Sequence, residues 1–229
     1  MNHFQGFSQA GLNFLQDVWI NNSKSWFEQH RAIYDNELIK PFRLLVTQLA
    51  DEMLKIDSQF EIRPAIGKTI SRIHRDTRFS KDKSLYRNRL WLTFKRPNRD
   101  WKEAPAYFFE LSSDGYRYGL GYYCASKPMM DLFREQILND SGQFLQTIRC
   151  VKKPFELVGE SYKRPLIKEK DAKIATWYNR KNLAVMATEN NVQDVFNADL
   201  AKKLSRGFKS LLPLYDYLMF LEEFRKIGI

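Results

Sequence analysis

From Leu90 onward the chain changes its hydrophobic period, and that change limits the folds open to it. Leu90, Leu92 and Phe94 alternate with Trp91 and Thr93. After Pro105 the spacing recurs at Tyr107, Phe109 and Leu111, and beyond the turn Ser113-Asp114-Gly115 it resumes at Tyr116, Tyr118, Leu120 and Tyr122. A two-residue period places one set of side chains on one face of a pleated strand, and a Gly-containing turn between two such runs reads as a hairpin. The spacing predicts neighbouring antiparallel strands over 90–95, 106–112 and 116–124, with one face covered by the helices before and after them.

On either side the period is helical. Residues 8–20 and 25–36 read as helices separated by Asn21-Asn22, the second opened by the capping-box pattern Ser25-Trp26-Phe27-Glu28. Phe42, Leu45, Val46, Leu49, Met53 and Ile56 predict a third helix from about Pro41. Ser126 and Pro128 open another through Ile137, and Ser141 one more through Ile148. Residues 155–158 and 183–187 read as short strands, and Leu214, Tyr217, Leu218, Leu221 and Phe224 as an amphipathic terminal helix. Helical runs beside strand runs indicate α+β. The reading is a single domain, 1–229, with a central antiparallel sheet flanked by N-terminal and C-terminal helices. The N-terminal helices cover about 8–57, a mainly β part about 60–124, and a mixed α+β part about 126–229.

At 229 residues the chain fits one large domain or two small ones, and its 17 Phe, 11 Tyr and 5 Trp supply a core. No apolar run approaches the ~18 residues of a membrane span, and the first residues lack the basic and apolar regions of an export signal. A cytoplasmic protein with no membrane partner is expected. Cys124 and Cys150 stand apart without CxxC spacing and read as buried thiols.

The net charge of +10 is concentrated. Residues 61–102 hold 13 basic and 4 acidic groups, and residues 149–181 hold 10 and 4. Charge gathered this way attracts phosphates, nucleic acid or an acidic partner more strongly than the same charge spread evenly. Aromatic residues interleave with it: Phe79, Tyr86, Trp91, Phe94 and Trp101 in the first window, Trp177 and Tyr178 in the second. That mixture suits base stacking between cations and equally a half-buried sheet. Trp91 and Phe94, set among alternating apolar neighbours, read as core.

Ile70 to Arg89 departs from ordinary packing. Between Arg72 and Arg89 it sets seven cations, Arg72, Arg75, Arg78, Lys81, Lys83, Arg87 and Arg89, against two carboxylates, Asp76 and Asp82. Its local propensity is that of a loop. Arginine forks can close on the aspartates as a rigid clasp, and the surplus forks, with the Ser80 hydroxyl, can face a phosphate or carboxylate. The candidate anion site is Arg72, Arg75, Arg78, Ser80, Lys83, Tyr86 and Arg87, supported by salt bridges of Asp76 and Asp82. Asp76, set between Arg75 and Arg78, is expected to pair with a motif arginine strongly enough that removing it costs about 1–3 kcal/mol.

The string R-I-x-R-D-T-R-F-S-x-D-K-S-x-Y-R from Arg72 to Arg87 resembles the signature of the family called domain of unknown function 2461. Asn22 to Phe27, Tyr34, Pro41, the Tyr107–Gly121 sheet segment and Tyr162-Lys163-Arg164 are similar to it as well, while Leu85 stands where relatives often carry Pro. The resemblance implies a compact cytoplasmic α+β domain, mostly bacterial, and brings no catalytic residue.

Other chemistry finds little support. His3, His30 and His74 lie on different elements with no paired ligand spacing, so no metal site is expected. No GxGxxG follows a strand and no GxxxxGK[ST] or G-x-S-x-G occurs, so no cofactor and no nucleophilic serine is expected. Three readings follow. The leading one is a module that binds a phosphate-bearing small molecule or nucleic acid through Arg72–Arg89, helped by Lys163, Arg164, Arg180 and Lys181. The second is an enzyme acting on a phosphorylated or carboxylated substrate, with Arg75, Arg78 and Lys83 stabilising negative charge and Asp76, Asp82, Glu110 or Tyr86 as acid or base. In the third the motif is a salt-bridge clasp and the protein works by contacting another protein.

Overall fold

A computed structural model describes residues 3–97, 104–168 and 171–227. The first helix, α1 (Gln9–Ile20), starts where Ser8 accepts a hydrogen bond from the Gly11 amide at 3.1 Å, and it buries Leu12, Phe14, Leu15 and Val18. Helix α2 (Lys24–Gln29) is capped by Ser23, which accepts from the Trp26 amide at 3.3 Å. The expected cap, Ser25, already lies inside the helix. A cap needs extended backbone, and Ser23, at φ −129° and ψ 152°, is the residue that has it.

The chain then continues without a break. A single turn, α3 (Arg31–Ile33), leads through a π-helical segment, Tyr34–Ile39, into α4 (Lys40–Ile56). Pro41 supplies the reason for the wide turn. Its ring would clash with the carbonyl four residues earlier in a regular α-helix, and a π turn relieves that. The carbonyl concerned, Glu37, faces α1 at Gly11, where a Cβ would come within 2.8 Å of its oxygen. Phe42, Leu45, Val46, Leu49 and Met53 are buried at the expected spacing.

Five strands form one antiparallel sheet. They are β1 (Arg89–Phe94), β2 (Pro105–Ser112), β3 (Tyr116–Tyr122), β4 (Glu156–Val158) and β5 (Ala184–Glu189), in the order β1-β2-β3-β5-β4. The alternation holds in β1 and β2, where Leu90, Leu92, Phe94, Tyr107, Phe109 and Leu111 are buried, while β3 is buried along most of its length. Gly119 permits the contact of β3 with β5: a Cβ there would lie 2.0 Å from the Val185 carbonyl oxygen. The α+β class read from the sequence is the class observed.

The described residues gather into two compact units. One runs up to Phe94 and includes Phe108–Tyr118 and Thr188–Arg206; the other comprises Lys95–Tyr107, Gly119–Ala187 and the chain from Gly207. Within the first, Phe7 and Phe42 pack on Phe109. Within the second are α5 (Lys127–Asn139), capped by Ser126 as expected, α6 (Ser141–Thr147), capped by Asp140 one residue before the expected Ser141, α7 (Ala172–Tyr178) and α9 (Leu212–Ile227). Helix α8 (Asp199–Ser210) contributes to both units. In the second unit, Phe208 and Tyr215 pack against Tyr107.

Two cysteine expectations are corrected. Cys124 is exposed just beyond β3, and Cys150, ending a 3-10 turn, is half-buried. No helix among the described residues is long and apolar enough to cross a membrane.

Candidate functional site

The Arg-rich motif is not a loop along its length. Thr69, Ile70 and Ser71 pair with Thr93, Leu92 and Trp91 on the open edge of β1, through the Ser71 amide to the Trp91 carbonyl (2.9 Å) and the Thr93 amide to the Thr69 carbonyl (2.8 Å). Beyond that the register slips. Continuing it would set His74 opposite Asn88, yet His74 faces Tyr86, with Arg87 donating to Ile73 and Arg75 to Leu85 through their amides. The motif is therefore a two-limbed arm with a bulge on its returning limb and a tip at 76–84. Propensity missed the pairing because the limbs join through backbone groups while their outward positions carry arginine.

Arg87 fills the bulge. Its guanidinium donates to the Arg72 carbonyl at 2.9 Å and to the His74 carbonyl, and it lies 5.1 Å from the centre of the Trp91 ring. Trp91 is half-buried beneath it, whereas Phe94 is fully buried as expected. Trp101 lies outside the described residues.

The arm is fastened to α1 and α2. The Asn22 carbonyl oxygen accepts from the amides of Leu85 (2.6 Å) and Tyr86 (3.0 Å), and its amide nitrogen donates to the carbonyls of Tyr86 (2.9 Å) and Val18 (3.0 Å). Phe27 stacks on Tyr86 with centroids 4.4 Å apart, and His74 meets its edge at 5.7 Å. Tyr86 is thus a buried anchor, and burial raises its hydroxyl pKa. The N-terminal segment that resembles the family and the central motif that resembles it hold each other in place.

At the tip both aspartates meet arginines. Arg78 grips Asp76 with two nearly parallel bonds, Nε to Oδ1 at 2.9 Å and Nη2 to Oδ2 at 2.7 Å. Arg75 reaches Asp82 at 2.6 Å. Hydrogen bonds from the Ser84 hydroxyl and amide, ahead of Arg75, hold the Asp82 carboxyl below its usual range. Lys83 donates to the Thr77 carbonyl at 2.9 Å, and the Ser80 amide closes a turn onto the same oxygen at 3.4 Å. Asp76 was expected to meet a motif arginine; the side chains of its pair with Arg78 are 57% and 76% exposed, so the cost expected for a partly buried pair does not apply.

After this pairing the side chains of Arg72 and Lys81 make no ion pair or hydrogen bond among the described residues. Phe79, flanked by Arg78 and Ser80, is 94% exposed, with the Arg78 guanidinium 5.7 Å from its ring centre. At the base of the arm Arg89 and Arg117 share Glu110, at 3.3 and 2.8 Å. Each group proposed as an acid or base is thus engaged: Asp76, Asp82 and Glu110 by arginines, Tyr86 in the core.

The helper cations of the second window lie in the other unit. Arg180 donates to the Gly159 carbonyl, Lys181 pairs with Glu160 at 3.3 Å, and Lys163 and Arg164 are exposed. Among the described residues no group of three His, Cys, Asp or Glu could hold a metal ion.

One ionic constellation went unread in the sequence. Lys203 Nζ lies 2.7 Å from the Tyr116 hydroxyl, 3.0 Å from Glu189 and 2.8 Å from Asp194, and Tyr116 also donates to Asp194 at 2.8 Å. Burial opposes the ammonium, but its bonds to Asp194, Tyr116 and Glu189 outweigh that and raise its pKa. Hydrogen bonds from Lys203 and Tyr116 hold Asp194 below its usual range, and burial, ahead of its partners, raises Tyr116. A catalytic acid or base works best with a pKa near the ambient pH, and these three are driven away from it. The constellation is a closed structural network. It joins positions up to 87 residues apart, so no local spacing signals it.

No curated protein matches this sequence. A family model described as "Conserved hypothetical protein (DUF2461)" matches residues 10–217, from the first helix to the last and through the whole of the arm, and the chain belongs to that family.

Proposed function

We propose that this protein is a non-catalytic binding module whose arm grips single-stranded nucleic acid, with phosphates meeting Arg72, Lys81 and the outer face of Arg78 and a base stacking on Phe79. The observation that carries this reading is Phe79, a phenylalanine 94% exposed at the tip of a braced, cation-rich arm. Exposed phenylalanine gains nothing for folding, whereas a base stacked on an aromatic ring contributes about 1–3 kcal/mol to binding. The bracing matters because a limb already fixed by Asn22, Phe27 and Arg87 has little ordering entropy left to lose on binding.

The test is a titration of a labelled oligothymidylate of about ten nucleotides into the full chain, across a range of salt. Binding at low salt should weaken linearly in log–log form as salt rises. Phe79→Ala should lower affinity at least about tenfold with melting unchanged, and Arg72→Ala with Lys81→Ala should flatten the salt slope. Lys163→Ala with Arg164→Ala should change it less. No binding at low salt, or full binding by Phe79→Ala, overturns the reading. The two arginine–aspartate pairs favour the protein-contact alternative, in which the same tip docks a protein; binding then persists at high salt and is lost with Phe79 but not with Arg72 and Lys81.

A further inference from the structure

Away from the arm, within the second unit, α6, the turn that follows it, β4 and α7 enclose a half-open pocket of about 440 Å³. Its apolar lining is Leu145, Ile148, Val151, Leu157 and Trp177. That lining is fixed by the core: Trp177 and Ile148 are buried, and the Trp177 ring meets Phe144 edge-on at 5.7 Å. Arg149, Lys152, Lys173 and Thr176 complete the lining, all four exposed, and no acidic residue is part of it. The cations Arg149, Lys152 and Lys173 surround the opening. Their side chains make no ion pair or hydrogen bond among the described residues. The nearest carboxylates in sequence are turned to other uses. Asp171 caps α7 through the amides of Lys173 and Ile174, and strand alternation sends Glu156 to the face of β4 opposite Leu157.

We propose that this pocket binds a small amphiphilic anion, a molecule with an apolar body and one carboxylate or phosphate head. The volume falls within the ~300–1,000 Å³ typical of small-molecule sites. Three cations around one opening, with no ion pair among the described residues, repel a cationic ligand and offer a neutral one hydrogen bonds without charge attraction. An anion seated among them supplies the missing charge, while its body covers the half-buried Leu145, Val151 and Leu157 and removes their remaining surface from water. Both head groups offer the paired oxygens that a guanidinium and two ammoniums can hold. The site shares no residue with the arm, so each stands or falls separately.

The test uses the full chain and four ten-carbon probes: decanoate, decyl phosphate, decanol and decyltrimethylammonium, followed by tryptophan fluorescence and thermal melting. At least one of the two anions should bind and raise the melting temperature, with decanol at least about tenfold weaker and the cation silent. The tighter anion identifies the head group. Lys152→Ala with Lys173→Ala should weaken the anion about tenfold or more without altering decanol. Thr176→Trp, at an exposed lining position, should block every probe while leaving unliganded melting unchanged. Phe79→Ala should leave all four results intact. Decanol binding as tightly as the tighter of the two anions, or full anion binding in both pocket variants, overturns the proposal, as does the failure of both anions to bind.

Discussion

Two clusters in the first unit use the same chemistry and do different things with it. At the tip of the arm, Arg78 and Asp76 make a two-bonded pair with both side chains more than half exposed. Between β3 and α8, Lys203 gathers Tyr116, Glu189 and Asp194 with its own side chain 30% exposed. The bond lengths are nearly equal, so geometry alone does not rank the two clusters. Water does. Solvent screens the arm pair and competes for each partner, whereas Lys203 replaces hydration it has largely lost with three fixed oxygens. The first arrangement shapes a surface and leaves its charge free to exchange for a ligand. The second fastens β3, β5 and α8 together.

Four substitutions test that contrast. Lys203→Met keeps the stem and removes the ammonium, leaving two carboxylates facing a tyrosine; a loss of about 2–4 kcal/mol in denaturant unfolding is expected. The difference between wild type and this variant should also follow pH. Asp194 is depressed, so its share is present above about pH 4 and is lost as pH falls through its folded value; Lys203 is raised, so its share is complete below about pH 10 and fades as pH rises further. A difference that stays flat outside that window would break the comparison.

Asn22→Ala removes four hydrogen bonds at the root of the arm and should cost about 2–3 kcal/mol, with faster hydrogen exchange at the Leu85 and Tyr86 amides. Arg87→Met keeps the stem over Trp91 but strands the Arg72 and His74 carbonyls, for about 1 kcal/mol in thermal melting. Asp76→Ala should change stability by less than about 0.5 kcal/mol. A loss as large as that of Lys203→Met would show that exposure does not separate the clusters.

The parts legible in the sequence are those whose cause is local. The alternation from Leu90 to Tyr122 and the Ser126-x-Pro128 start of α5 each signal an element through a few adjacent residues, and the structure places them within two residues of expectation. Helix α8 also carried a strong signal in Leu200, Ala201, Leu204 and Phe208, all buried at helical spacing opposite its charged residues, and it went unread. The arm was legible as a surplus of cations and as a family signature, not as paired limbs, because backbone bonds to β1 leave no mark on side-chain pattern. That Asp76 would meet an arginine followed from its neighbours; that the pair would stand in solvent did not. The Lys203 network and the Trp177 pocket arise from tertiary closure and had no local trace.

The pairing of Thr69–Ser71 on β1 has a consequence for how this protein lives among copies of itself. A sheet ends in a row of unmet amides and carbonyls that can recruit another chain, and long flat edges of this kind seed aggregation. Here β1 is covered by the arm's first limb, which leaves β1 at the bulge after three residues, and the opposite edge, β4, is three residues long and runs into Gly159 at φ 124°. Neither border offers a neighbour enough ladder to copy. The segment that leads into the family signature is thus a guard on the sheet, and variants that loosen the arm should lose solubility on warming before they lose helical content.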